Sequence, residues 1–425
     1  MCFLCKEKKL PFSFFVKNNI CNFVEINIVM NRIYEISSRL TEALNAPLYR
    51  YLYDVISWGD RLIMIKGSRG VGKTTMMLQR CKELGDKGVY ASLDNFFFNE
   101  HTILDLADYH YKHGGTHIFL DEVHRYPHSS WERELKNIYD SYPALNIVFT
   151  GSSLLQLNSK IADLSRRVAV YELRGLSFRE YLNFTGNHDM ASISLPDLLV
   201  NHRTLASKIT ASIRVIGEFE KYLKMGYYPF FIESSEFTYS QRVERLVSSV
   251  IDLDIPAVSA IEYETQLKLK KLLVILAEQV PFVPNMTSLS RDVEVTRNQL
   301  MKFFTMLSDG AILRTLMDPT TQPKRASKPE KILFDNPSVM QALGIMNKIG
   351  TVRESFVASM LSYAGNLYAP KEGDFLVDRK YLFEVGGKGK GFSQIADRSD
   401  SYVISDNIET GVGNKVPMWL LGFLY

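Results

Sequence analysis

Gly67-Ser68-Arg69-Gly70-Val71-Gly72-Lys73-Thr74-Thr75 decides the architecture of this chain. The stretch fits G-x-x-x-x-G-K-[ST]. It sits between an apolar run, Arg61–Lys66, and a helix-length amphipathic stretch, Lys73–Leu84. Glycines let the backbone curl so that its N–H groups point at an anion, beside the positive end of the following helix. Lys73 brings a point charge to β- and γ-phosphates, and the Thr74 hydroxyl is a ligand for Mg²⁺. Gly67, Ser68, Arg69, Gly70, Val71, Gly72, Lys73, Thr74 and Thr75 are therefore read as a nucleotide cradle, with ATP and Mg²⁺ as its expected ligands.

Working outward, short apolar runs alternate with amphipathic stretches as far as residue 178, the pattern of a parallel sheet covered by helices. The expected strands are Arg61–Lys66, Gly88–Leu93, His117–Asp121, Asn146–Thr150 and Val168–Leu173, with helices near Lys73–Leu84, Ile103–Lys112 and Trp131–Asp140. His117-Ile-Phe-Leu-Asp121-Glu122 is an apolar strand ending in two carboxylates. Asp121 there can join Thr74 in holding Mg²⁺, and Glu122 can orient and polarise an attacking water. The next strand ends Thr150-Gly151-Ser152-Ser153. Its Thr150 and Ser152 either sense a γ-phosphate or simply form a turn. Arg167, after Arg166, either reaches a phosphate in its own or a neighbouring subunit or belongs to a solvated pair. A role across subunits would require an oligomer.

Beyond Ser177 the chain reads as helical to about Ile261, with Ser177-x-x-Glu180 as a capping box. A helix over Leu267–Val280 carries Leu269, Leu272, Leu273 and Leu276 on one stripe. Thr296-Arg-Asn-Gln299 opens another, which buries Leu300, Phe303, Phe304 and Leu307 and stops at Gly310. With a strand over Ala311–Met317, this is the outline of a winged helix. Thr320–Lys331 is either its wing or a linker. The expected fold is α/β: a P-loop NTPase core with a parallel sheet over residues 30–185, a helical extension over 186–261, a winged helix over 262–330, and a small α/β C-terminal domain over 331–425.

With 425 residues, 46% hydrophobic and 23% charged, the chain has material for several cores. A net charge of +3 is too small to imply nucleic acid without local patches. Cys2-x-x-Cys5 is half a zinc site with no second pair at ligand spacing, so Cys2, Cys5, Cys21 and Cys81 read as thiols of a reducing cytoplasm. No apolar run reaches the roughly 20 residues that span a bilayer. Residues 1–29 lack helical period and the zones of a signal peptide, and are read as a non-native or loose tail preceding Met30.

The nucleotide cradle, Leu120-Asp-Glu-Val-His124 with Trp131 soon after, and Thr150-Gly-Ser-Ser153 together resemble a large group of prokaryotic AAA-type ATPases. Leu176-Ser-Phe-Arg-Glu-Tyr181 and Gly226-Tyr-Tyr-Pro229 look like further hallmarks of that group, so the likeness runs from about residue 35 to 425. The resemblance implies an AAA core, a winged helix, and a C-terminal domain of unknown function related to restriction nucleases.

Asp374 to Val385 reads as a hairpin turning near Arg379, which puts Asp374 and Glu384 opposite each other on one face. With Glu354 from the preceding helix, three carboxylates can converge on a second Mg²⁺, as in restriction-type nucleases. The lysine expected two residues after Glu384 is instead Gly386; Lys388 and Lys390 follow in a glycine-rich loop. A working nuclease and a degenerate domain that grips phosphates or a partner both fit. For DNA, the candidate surface is Arg297, Asn298 and Lys302, extended by Lys324, Arg325, Lys328 and Lys331. Three functions stay open: an ATPase acting on DNA or a protein partner, a nucleotide-gated binding protein with negligible turnover, and an ATP-regulated Mg²⁺-dependent nuclease. No Asn-Lys-x-Asp motif suggests GTP.

Overall fold

Leu-Ile-Met-Ile at positions 62–65 has no polar residue to turn toward water, so the strand that carries it must be covered on both faces. In the computed structural model it is. The structure describes residues 30–128, 131–151, 164, 166–186, 188–279, 285–321, 328–395 and 398–425. A first helix, α1 (30–43), and a short α2 (Leu52–Val55) lead into β1 (Leu62–Lys66), whose first four residues are fully buried. Then come α3 (Lys73–Leu84), β2 (Gly88–Ser92), α4 (Ile103–Lys112), β3 (His117–Asp121), α5 (Trp131–Ser141), β4 (Asn146–Gly151) and β5 (Ala169–Glu172).

All five strands are parallel, in the order β2-β3-β4-β1-β5. Alternate residues of β1 enter different cores: Ile63 and Ile65 pack with α3 and the helices beyond the sheet, while Leu62 and Met64 pack with α1, α4 and α5. Because β4 lies between β1 and β3, Thr150 ends up alongside both the cradle and Asp121. The five expected strands and three expected helices are present, with ends displaced by no more than a residue or two.

A helical unit follows: α6 (Phe178–Gly186), α7 (Leu195–Thr210), α8 (Val215–Met225) and α9 (Glu236–Ser249), then a π-helical turn over Val250–Asp254 and α10 (Ile255–Val258). The Ser177/Glu180 box forms in both directions, each side chain accepting the other residue's N–H at 3.2 Å. Next come α11 (Tyr263–Gln279), α12 (Met286–Val293) and α13 (Arg297–Asp309). The predicted Leu269, Leu272, Leu273 and Leu276 stripe is buried, as are Leu300, Phe303, Phe304 and Leu307. Thr296 and Gln299 make the second capping box, and Gly310 ends the helix.

Strands β6 (Leu313–Leu316) and β7 (Lys331–Phe334) pair antiparallel, Leu313 opposite Phe334. A boundary after residue 330 would therefore cut between two paired strands. The polar segment that reads as a break is the connection of this hairpin; its residues 322–327, with Lys324 and Arg325, lie outside the described residues.

The remainder holds α14 (Pro337–Ala342), α15 (Ile349–Ala364) and a five-stranded sheet ordered β12-β11-β10-β9-β8. Its strands are β8 (Leu367–Tyr368), β9 (Phe375–Val377), β10 (Tyr381–Gly386), β11 (Ser401–Ser405) and β12 (Lys415–Pro417). Strands β8 to β10 are antiparallel, and β10 to β12 are parallel. Phe375 faces Phe383 and Val377 faces Tyr381, so the β9–β10 hairpin is centred on residue 379 as expected. Asp378 and Arg379 take positive φ of 48° and 58°, the left-handed pair of a tight hairpin turn.

Candidate functional site

The C-terminal ends of β1, β3 and β4 open on one cavity of about 260 Å³, lined by residues that include Gly70, Gly72, Lys73, Thr74, Thr75, Asp121, Glu122 and Thr150. Gly70 and Gly72 take φ of 79° and 100°, a region that side chains other than glycine's resist. Their curvature brings the loop round so that α3 starts with its N-terminus at the cavity. Lys73 Nζ donates to the carbonyls of Gly67 and Ser68 at 2.8 and 2.9 Å. Enclosure pushes its pKa down to about 8, against the pull of Asp121 and Glu122.

Asp121, almost fully buried at the end of β3, is fixed from three sides. Its Oδ2 accepts from Thr74 Oγ1 at 2.6 Å and from the Tyr90 hydroxyl at 2.9 Å. Its Oδ1 accepts from the Thr150 hydroxyl and from the Glu122 amide. Thr150 Oγ1 also accepts from Glu122 N at 3.0 Å. Thr150 thus binds the two carboxylate residues to each other.

Those bonds hold Glu122 in the left-handed region, φ 55° and ψ 51°, which costs an ordinary residue about 1–2 kcal/mol. Burial raises the Glu122 pKa; Arg125, with Nε 3.3 Å from Glu122 Oε2, pulls it back, and Asp121 raises it again.

The hallmark segments support this loop from behind. Glu180 accepts from Arg50 Nε and Nη2 at 2.9 and 3.1 Å, and the same guanidinium donates to the Val71 carbonyl and to the carbonyls of Arg174 and Gly175. Leu176 N donates to the Tyr227 carbonyl at 2.7 Å. Pro229 and Phe230, at the end of Gly226-Tyr-Tyr-Pro229, lie over Gly72 and Gly70: a Cβ at Gly72 would stand 3.7 Å from Pro229 Cγ, and one at Gly70 would stand 3.2 Å from Phe230 Cε1.

Sequence reasoning missed Tyr90, His124, Arg125 and Asp254. Arg125 and His124 adjoin the Asp-Glu pair, which was signal enough to consider them. Asp254 comes from the π-turn of the helical unit, and no spacing rule led to it. Its Oδ1 takes Arg69 Nη1 at 3.2 Å and Arg125 Nη2 at 3.4 Å.

Three expectations need correction. Arg167 does not reach this cavity within its own chain: it stands before β5, at the N-terminal edge of the sheet, where its Nη2 lies 3.3 Å from Asp140. In a parallel sheet the phosphate site is at the other edge. Lys331 does not extend the basic surface but is enclosed, with Nζ 2.7 Å from Glu354 and 3.3 Å from Asp374. Glu354, Asp374 and Glu384 do line one cavity, of about 470 Å³. Among the described residues, however, no group of three His, Cys, Asp or Glu is gathered so as to hold a metal ion. Lys331 stands between two of the carboxylates, and Lys390 pairs with Glu384. Ser152, Cys2, Cys5 and Cys21 lie outside the described residues, and Cys81 is a buried free thiol. Among the described residues no helix is long and apolar enough to cross a membrane.

Residues 59–182 match the family described as an AAA domain, and residues 216–349 match a domain of unknown function, DUF8612. The uncharacterized protein MJ1637 of Methanocaldococcus jannaschii is 27% identical over 374 residues, 83% of this chain and 76% of that one. Among solved structures, a RuvB variant of Thermotoga maritima is similar at TM-score 0.30 and 14% identity, over 67% of this chain and 89% of that one. AMPPCP-bound DnaA from Aquifex aeolicus is similar at TM-score 0.25 and 16% identity, over 66% and 87%. The cradle and strands β1 to β5 all fall within residues 59–182, so the stretch that matches the AAA domain is the P-loop NTPase core of this chain.

Proposed function

We propose that this chain is a Mg²⁺-dependent ATPase whose nucleotide state is coupled, through the helical unit, to binding of DNA or a protein partner. The observation that carries this reading is the convergence of Lys73, Thr74, Asp121, Glu122 and Thr150 on one cavity from three strand ends.

The donor set fits Mg²⁺: a hydroxyl and a carboxylate, Thr74 Oγ1 and Asp121 Oδ2, both hard oxygens and 2.6 Å apart. Bound there, the ion would neutralise charge between the β- and γ-phosphates. Lys73 and the N–H groups of the loop hold the same phosphates. Glu122 orients a water for in-line attack at the γ-phosphorus and draws its proton, while Thr150 keeps that carboxylate aimed.

Behind the ATPase domain, three helices and the β6–β7 hairpin support reading residues 262–334 as a winged helix. Arg297, Asn298 and Lys302 on α13 are exposed, and suit phosphate and base contacts. The deciding experiment is ATP hydrolysis with and without duplex DNA, comparing wild type with Lys73→Ala and Glu122→Gln. DNA-stimulated turnover lost in both variants supports the proposal; no turnover under any condition refutes it.

One observation favours a second reading, a nucleotide-gated binding protein with negligible turnover. Glu122, the candidate base, is engaged by Arg125 at 3.3 Å. Tight ATP binding without hydrolysis would select that alternative.

A further inference from the structure

Asp252 and Asp254 lie close in sequence but have different fates. Asp252 faces outward and takes Lys270 of α11 at 2.7 Å, whereas Asp254 is only 3% exposed. A buried carboxylate must be compensated. The ion-pair partners of Asp254 among the described residues come from the nucleotide loops, Arg69 in the cradle and Arg125 beside Glu122; His124 Nε2, from the same loop as Arg125, lies 4.0 Å away. The turn that presents Asp254 is π-helical, a geometry that often marks a functional position within a helix.

A second observation points the same way. His124 is 6% exposed and lines the cavity, yet neither ring nitrogen has a hydrogen-bond partner. Burial keeps the imidazole neutral, so one nitrogen is a donor without an acceptor. A phosphate oxygen in the cavity would satisfy it.

We propose that Asp254 is a positioning residue that reports the γ-phosphate to the helical unit. It holds Arg69 and Arg125 when no γ-phosphate competes, and yields them to ATP. This rests on reading the cavity as an ATP site. Guanidinium binds phosphate in bidentate fashion, and a γ-phosphate offers more charge and more acceptor oxygens than one carboxylate. Stripped of both arginines, Asp254 is a buried charge without compensation, so Val250–Asp254 shifts. The turn continues directly into α10, and Asp252 ties it to α11, so the shift reaches the unit that carries the exposed face of α13. ADP lacks the competing group and leaves Asp254 in place.

The test uses the full chain, with ADP and a non-hydrolysable ATP analogue as probes. Wild type, Asp254→Asn, Asp254→Glu and Arg69→Met are compared by titration calorimetry and by hydrogen exchange over residues 250–279, with thermal melts as the folding check. In wild type, exchange over this segment differs between the two nucleotides. Asp254→Asn removes the competitor: the analogue binds about tenfold tighter, ADP changes by less than about twofold, and the exchange difference vanishes. Asp254→Glu restores the difference, and Arg69→Met lowers the preference for the analogue over ADP.

A folded Asp254→Asn protein with wild-type preference and wild-type exchange difference overturns the proposal. If Asp254→Asn does not fold, Arg69→Met decides, and an unchanged preference there overturns it equally. A wild type that binds neither nucleotide sinks the ATP reading itself, which is a distinguishable result.

Discussion

Glu180 holds Arg50 with both carboxylate oxygens, at 2.9 and 3.1 Å, and the pair is almost completely sealed from water. Because the same guanidinium donates to Val71 and to Gly175, it fixes the cradle against the start of α6. Removing one partner strands the other charge in the interior. Glu180→Gln is therefore expected to lower stability by about 3–5 kcal/mol, seen as a fall in the urea midpoint. Replacing both residues by apolar ones of similar size should cost less than the sum of the single changes. Additive losses would mean the two residues act independently.

Glu122 is expected to govern turnover and not binding. Glu122→Gln should reduce kcat by about 100-fold or more while ATP affinity stays within a few-fold of wild type. The pH dependence has a definite sign. The base works only when ionised, and burial raises its pKa, so kcat falls on the acid side at a pH above that of an ordinary glutamate. A pH–kcat profile whose acid limb sits in the ordinary carboxylate range would assign the base elsewhere.

Lys73 predicts a proton uptake. With its pKa near 8 in the free cradle, about half the molecules carry a neutral amine at that pH. Phosphate oxygens favour the ammonium, so ATP binding at pH 8 to 8.5 draws a proton from buffer. Titrations in two buffers of different ionisation enthalpy would then give different apparent heats. At pH 6.5, where Lys73 is already charged, its contribution to that difference disappears. Lys73→Ala should remove the uptake at the higher pH.

Most of the ATPase domain was legible because its elements carry local signals. Ile118, Phe119 and Leu120 make a buried parallel strand inevitable, and Gly72-Lys73 marks both the loop and the start of α3. Glu180 and Gln299 announced their caps by spacing alone. Of the alternatives for Arg167 only reach to the cavity of its own chain is set aside, because nearness to a strand in sequence does not say which edge of the sheet a residue occupies. Lys331 looked like surface because its polar neighbours hid the fact that it opens a paired strand. Asp254 left no trace: it lies 185 residues from Arg69, and the π-turn that aims it breaks the 3.6-residue period on which helical reading depends.

The C-terminal cavity gives the last prediction. The lysine stem at 390 fills the space a side chain at 386 would need: a Cβ on Gly386 would stand 2.7 Å from Lys390 Cβ and Cγ. From there Lys390 reaches Glu384, while Lys331 bridges Glu354 and Asp374. Burial and Asp374 raise the Glu354 pKa, and Lys331 opposes them. Two ammonium groups thus serve three carboxylates, and they occupy the positions a divalent cation would otherwise neutralise. Gly386→Ala should displace Lys390 at a cost of about 1–3 kcal/mol, since the nearest obstructing atoms include a Cβ carried directly by the main chain, which must shift with it. Lys331→Met with Lys390→Met should go further and leave the carboxylates to an external cation. The expected result is tighter Mn²⁺ binding in the double variant than in wild type, read by calorimetry without nucleotide in a Lys73→Ala background. If the lysines instead serve phosphodiester cleavage, wild type will nick plasmid DNA with Mg²⁺ and Lys390→Met will not. Cleavage by wild type would overturn the counter-ion account, and tighter Mn²⁺ binding with no cleavage would sustain it.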